Sequence, residues 1–227
     1  EFLQNQIKPH FFVNCFNIII GMAEWEKFDQ IQDFCMLLSS YVRYTLCDGF
    51  ETVTLKEELQ QTTDFLAIQD IRFDSQTTLR DFEDEELDCQ VPPLMLLTLA
   101  ENSVKHNKFK VESLQLTVTV QHIPGGLNGL LRIDYQDNGV GIGIEESRKM
   151  TQMLENVRAG VLGKDETVSF SNQQIGLQNV YRRLLLLYGE RAKIELMPVD
   201  RSEVFKIRIP MPLTRKKEAA KPQLPAS

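Results

Sequence analysis

Residues 130 to 142 read Leu-Leu-Arg-Ile-Asp-Tyr-Gln-Asp-Asn-Gly-Val-Gly-Ile. Leu131, Ile133 and Tyr135 alternate with polar residues, the period of a strand with one face in a core, and the run breaks at Asp137-Asn138-Gly139. Just upstream, Leu114 to Val120 alternates in the same way, and Gly125, Gly126 and Gly129 stand between the two stretches. The pair predicts an antiparallel hairpin. By itself the Asp-Asn-Gly tripeptide is only a turn signal.

Working outward, the flanking segments supply helices. Val91-Pro92-Pro93 leads into a helix through Leu94, Leu97, Ala100 and Val104, with proline acceptable in the first turn. Thr54-x-x-Glu57 has the form of a capping box and opens another helix carrying Leu55, Leu59, Phe65, Leu66 and Ile68. A strand is expected around Thr78 to Phe82, a helix from Gly176 to Leu187, and strands near Lys193 to Met197 and Val204 to Ile209. The polar stretch from Gly143 to Gln174 reads as a long loop, and such loops in compact domains are usually functional lids. Helices over a mostly antiparallel or mixed sheet give a two-layer α/β sandwich.

The first fifty residues differ in kind. Leu3 to Glu24 reads as a helix in which Pro9 bends the backbone or marks a second start. After polar punctuation at Glu24 to Asp29, Phe34, Leu37, Leu38, Tyr41, Val42 and Thr45 form one helical stripe that ends near Cys47-Asp48-Gly49. Two such helices make an antiparallel hairpin that cannot cover its own apolar stripe, so a second copy completing a four-helix bundle is expected. Residues 48 to 53 read as an interdomain hinge, and the tail from about Thr214 as disordered.

The candidate chemistry lies in four places. Gln6 to Asn14 holds His10 on a helix; such a histidine is ordinarily structural, yet imidazole is one of the few neutral-pH nucleophiles able to accept a phosphoryl group. In Glu101-Asn102-Ser103-Val104-Lys105-His106-Asn107, helical geometry puts Asn102, Lys105 and His106 on one face. An amide oxygen there suits Mg²⁺ and the two nitrogen groups suit phosphate, although alone the face could be a solvated helix edge. Asp137 can accept a hydrogen bond from an exocyclic amine such as adenine's, beside a backbone that Gly139 and Gly141 let approach a flat ring. Gly176, opening its helix, frees backbone N–H groups for phosphate.

With 25 Lys and Arg against 32 Asp and Glu, the net charge of −7 repels polyanions and excludes nucleic acid as a favoured partner. No apolar run approaches the ~20 residues that span a bilayer. Cys15, Cys35, Cys47 and Cys89 lie apart in mainly apolar stretches, which suits buried thiols in a reducing compartment. The chain opens in a helical pattern without a methionine, as expected of a fragment whose membrane anchor, if any, lies upstream.

In this order the motifs resemble those of the LytS/YesM-like class of sensor histidine kinases. The class has a phosphoacceptor motif similar to QINPHFLFN, an ENAxKH N-box, a DNGxGI G1-box and a GIGLxN G2-box, matched here by Gln6 to Asn14, Glu101 to His106, Asp137 to Ile142 and Gln174 to Asn179. The similarity extends over Tyr41-Val42-Arg43-Tyr44, Ile71-Arg72-Phe73 and Asn179-Val180-Tyr181-Arg182-Arg183-Leu184. The resemblance implies an α+β chain: a helical hairpin (1–50) forming a dimeric four-helix bundle, then a GHKL (Bergerat) α/β sandwich ATPase domain (51–213), then the tail (214–227). It implies His10 as phosphoacceptor, Glu101 as an acid that polarises the attacking group, and Asn102 as the Mg²⁺ ligand. Lys105 and His106 then contact phosphate, Asp137 reads adenine, and Gly139, Gly141, Gly176, Leu177 and Asn179 wall the ATP site. It further implies a homodimer that hands its phosphoryl group to a response-regulator receiver domain, in a cytoplasmic piece of a membrane sensor that itself makes no direct membrane contact.

Departures from the class pattern are Lys8, Phe12-Val13, Cys15-Phe16, Asn107 in place of glycine, Gln174 in place of glycine, and Arg201-Ser202-Glu203-Val204 where a Gly-Thr pair is common. They bear on nucleotide affinity more than on fold. A scaffold that has lost productive ATP binding, and a GHKL ATPase that hydrolyses ATP through Glu101, are the alternative readings.

Overall fold

The computed structural model describes residues 9–46, 52–73, 78–80, 88–107, 113–124, 129–163, 175–198 and 205–212. Helices α1 (Pro9–Glu24) and α2 (Phe28–Thr45) form the expected hairpin. Pro9 is the first described residue of α1, and the helix runs unbroken from it to Glu24. The turn between the helices carries Glu26 at φ 55°, with its N–H donating to the Ala23 carbonyl at 3.1 Å. The predicted stripe is the buried one: Phe34, Leu38, Tyr41 and Thr45 are buried, with Leu37 and Val42 packed against them.

A short strand β1 (Val53–Thr54) leads directly into α3 (Leu55–Phe73). The capping box forms as read: the Thr54 hydroxyl accepts the Glu57 N–H at 3.2 Å, and the Glu57 carboxylate accepts the Thr54 N–H at 2.8 Å. Strand β1 pairs antiparallel with β3 (Gln90–Val91), a ribbon whose two-residue strands are too short to show a period in the sequence. The expected hinge over residues 48–53 otherwise lies outside the described residues, as do residues 1–8, the segment 164–174, residues 199–204 and the tail.

The main sheet is five-stranded in the order β2-β4-β5-β7-β6, with β2 (Thr78–Arg80) parallel to β4 (Gln115–Ile123) and the other pairs antiparallel. Its remaining strands are β5 (Leu130–Asp137), β6 (Glu195–Pro198) and β7 (Phe205–Pro212). Leu116, Val118 and Val120 on β4, Leu131, Ile133 and Tyr135 on β5, and Ile209 and Met211 on β7 supply one apolar face. Three helices pack on the sheet: α4 (Met95–Asn107) against β5, α5 (Ile144–Gly163) against β6 and α6 (Ile175–Tyr188) against β7. Helix α3 packs against both α4 and the α1–α2 hairpin, so one core runs from Phe11 to Met211.

Two expectations need correction. The stretch from Gly143 onward is not a loop: most of it is α5, whose Met150, Met153, Leu154, Val157 and Val161 join the core at helical spacing. Only residues 164–174 of that stretch stay outside the described residues. The cysteines also differ from one another, since Cys15 and Cys89 are buried but Cys35 is exposed on α2 and Cys47 lies outside the described residues. Among the described residues no helix is long and apolar enough to cross a membrane.

Candidate functional site

Helix α4 is the element around which the candidate residues gather. Its start is anchored by Glu58 of α3, a carboxylate with no exposure to solvent. That carboxylate accepts the N–H groups of Leu94 at 2.9 Å, Leu96 at 2.7 Å and Leu97 at 3.1 Å, and the hydroxyl of Tyr44 on α2. Free N–H groups and the helix dipole favour an anion here. Leu94 holds φ 64°, a left-handed conformation costly to a side chain with a Cβ, and the Glu58 bond to its N–H helps retain it. Burial pushes the Glu58 carboxyl above its ordinary value, while the Tyr44 hydroxyl and the three N–H groups pull it back part of the way. From the far side Arg183 of α6 donates to the Pro93 carbonyl. Burial holds the Arg183 guanidinium below its ordinary value, with Glu58 and then Tyr44 opposing the shift.

The two faces of α4 then divide the work. Asn102, Lys105 and His106 are exposed, as the spacing predicted. Ser103 and Asn107 point inward and are buried. The Ser103 hydroxyl donates to the Asp137 carboxylate at the end of β5, and the Asp137 carboxylate also accepts the Gly139 N–H at 2.9 Å. The Asn107 side-chain oxygen accepts the Val140 N–H at 3.1 Å. A Cβ added at Gly139 would lie within the Asn107 carboxamide, so what this glycine makes room for is Asn107. Gly141 keeps φ 75° at the end of the same turn.

Gly176 has an analogous role at the start of α6. A Cβ there would come 2.9 Å from the Thr98 methyl and 3.9 Å from the Asn102 amide nitrogen. The first turn of α6 thus passes close over α4, which brings Gly176 beside Asn102. Leu177 is buried beneath it and Asn179 is exposed. Gln174, the start of the expected G2-box, lies outside the described residues.

Glu101 turns elsewhere. It is half-buried and accepts a 2.9 Å hydrogen bond from the hydroxyl of Tyr41 on α2. The Tyr41 ring packs on Phe11 at 5.1 Å and stacks with Phe65 at 5.7 Å. Burial pushes the Tyr41 hydroxyl up, and the Glu101 carboxylate adds to the shift. His10 is the second residue of α1 and so directly precedes this contact.

Asn102 with Gly176, and Asp137 with Gly139, thus meet around α4, whereas Glu101 faces the hairpin. Sequence pattern placed Tyr41, Tyr44 and Tyr135 on their helix and strand but gave neither their hydrogen bonds nor those of Ser103 and Asn107, and it did not single out Glu58. For Tyr135 a signal existed, because it lies two residues before Asp137 and so shares its face of the strand. For Glu58 none did, since a glutamate in a helix's first turn ordinarily reads as solvated.

The family model for the histidine kinase-, DNA gyrase B- and HSP90-like ATPases matches residues 93–213, and the histidine kinase model matches residues 1–77. Sensor histidine kinase YpdA of Escherichia coli (strain K12) is 31% identical over 189 residues, which are 83% of this chain and 30% of that protein. Sensor protein kinase HptS of Staphylococcus aureus (strain USA300) is 28% identical over 214 residues, 94% of this chain and 38% of that protein. The chain therefore spans about a third of the length of these curated relatives. Among solved structures, the nucleotide-free catalytic domain of histidine kinase ThkA matches with a TM-score of 0.48 and 14% identity, covering 74% of this chain and 100% of that one. With the histidine kinase match followed along the chain by the ATPase match, the protein belongs to the sensor histidine kinases, in the LytS/YesM-like class.

Proposed function

We propose that this chain, as a homodimer, uses Mg-ATP to phosphorylate His10 and relays the phosphoryl group to an aspartate of a response-regulator receiver domain. The observation that carries this reading is the double-faced helix α4. Its exposed face offers an amide oxygen, an ammonium and an imidazole from Asn102, Lys105 and His106, while its buried face holds the Asp137 carboxylate in place. A nucleotide needs both kinds of group at once: an acceptor for the base amine, and oxygen and cationic partners for metal and phosphate.

Among the described residues no group of three His, Cys, Asp or Glu could hold a metal by itself. An exposed asparagine oxygen fits a Mg²⁺ that arrives with the triphosphate, and Asn102 would hold it. When bound, the ion neutralises developing charge on the phosphate oxygens. Lys105 and His106 orient the phosphates, and Asp137 the base. A ring nitrogen of His10 then forms a bond to the γ-phosphorus as the bond to the β–γ bridging oxygen breaks, and ADP leaves. Positioning and charge neutralisation supply most of the rate.

Glu101 is engaged by the Tyr41 hydroxyl, which favours a positioning role and speaks against a base that activates water. The exposed stripe of Val13, Phe16 and Ile20 on α1, at 56%, 57% and 57% exposure, supports pairing with a second copy. The division near residue 50 into hairpin and ATPase domain, and a membrane anchor upstream in the full-length protein, belong to the same proposal.

Incubation with γ-labelled ATP and Mg²⁺ should give an acid-labile label on the protein that is lost in His10→Gln. Label that persists in that variant contradicts the assignment. Release of free phosphate without labelled protein would favour a hydrolase, and absence of nucleotide binding a scaffold.

A further inference from the structure

The carboxylate of Asp137 does not stand alone. Tyr135, buried on the same strand face, donates its hydroxyl to the Ser103 oxygen at 2.8 Å, and the Ser103 hydroxyl donates in turn to Asp137. A hydroxyl has one hydrogen. Because Ser103 receives the hydrogen of Tyr135, its own is directed at Asp137, and burial of Tyr135 and Ser103 shields the bond between them from water. The second carboxylate oxygen accepts the Gly139 N–H at 2.9 Å. Each oxygen of Asp137 thus has one donor of fixed direction and keeps its remaining capacity as an acceptor.

From this geometry we infer that Ser103 and Tyr135 are positioning residues for base recognition: their relay fixes Asp137 as an outward-facing acceptor, which selects a purine bearing an amine at its 6-position. The inference rests on Asp137 being the base acceptor. Ser103 stands where the class motif has alanine, so the relay is a feature of this chain rather than of the motif. Because Ser103 directly follows Asn102 on α4, one helix holds both the base end and the metal end of the nucleotide. A ligand presenting only acceptors at this edge would meet acceptor against acceptor and lose the bond.

The test compares ADP with purine riboside 5′-diphosphate, which lacks only the 6-amine, by calorimetric titration of the whole chain with Mg²⁺ present. Wild type should bind ADP at least about 10-fold more tightly than the analogue, the span of one hydrogen bond to a charged group. Ser103→Ala should reduce that preference by about 10-fold through weaker ADP binding, with the analogue unchanged. Tyr135→Phe keeps the ring in the core and should lower the preference by less, and the double variant should be no worse than Ser103→Ala alone. Tyr135→Phe alone also reads the same ratio if the Ser103 variant melts. Equal weakening of both ligands, or an unchanged ratio in both single variants, would reduce the relay to a purely structural bond and overturn the inference. A wild type that does not separate the two ligands would instead remove Asp137 as the base acceptor, and the proposed function with it.

Discussion

Asn107 stands where the class motif has glycine, and its carboxamide fills the space beside Gly139 while holding the Val140 N–H. The two positions are therefore coupled. Gly139→Ala should destabilise the chain by about 1–3 kcal/mol, the range for overpacking a filled site. Asn107→Gly in the same chain should restore most of that loss, and denaturant titration of the single and double variants reads the coupling directly. Equal losses that simply add would show that the contact carries no weight. The placement of Asp137 at a strand end and of Asn102, Lys105 and His106 on one exposed helix face was legible because spacing on strand and helix is a property of the local chain. The partners of Asp137 were not, because Ser103 lies 34 residues away from it and nothing in local pattern announces so distant a contact.

Helix α4 shows how an element can be half legible. Its apolar positions and outward polar face follow from helical period, but the buried hydroxyl and amide on its inner side gain meaning only when β5 is set against them. Helix α5 failed for a different reason. Its apolar residues recur at helical spacing, but charged residues between them give the stretch the composition of a loop, and period should have outweighed composition. Helix α3 was read correctly from its capping box, and Thr54→Ala should cost about 1 kcal/mol by thermal or chemical denaturation. A change indistinguishable from zero would mean that β1 alone fixes the helix start. Between elements, Tyr41→Phe keeps the ring contacts with Phe11 and Phe65 but removes the bond to Glu101. It should lower stability by about 1.5–3 kcal/mol, as for a hydrogen bond to a charged group. Loss of the same size from Tyr41→Leu would show that the ring stacking adds nothing.

Across the molecule, Glu58 ties α2, α3 and α4 together, and Arg183 brings α6 to the same point through Pro93. Its carboxyl is raised above the ordinary 4.5, so between that value and the raised one the folded chain binds a proton that the unfolded chain has released. The stability this adds is fully present below about 4.5 and is lost as pH rises through the folded value. The stability of wild type relative to Glu58→Gln should thus shrink as pH increases across that window, measured by denaturant unfolding at a series of pH values. A difference that grows with pH would contradict the direction assigned to burial. The hairpin and sandwich were both readable from period and punctuation, but their joint packing was not, because Tyr44–Glu58 and Tyr41–Glu101 are contacts between different helices that no local period announces. The proposed chemistry needs a nucleotide lying along α4 between Asn102 and Asp137, and a crystal structure with Mg²⁺ and a non-hydrolysable ATP analogue tests this most directly. It should place the adenine amine on Asp137, the metal on Asn102 and the phosphates beside Lys105, His106 and the first turn of α6. A nucleotide bound elsewhere, with the space between Asn102 and Asp137 filled by side chains, would contradict it.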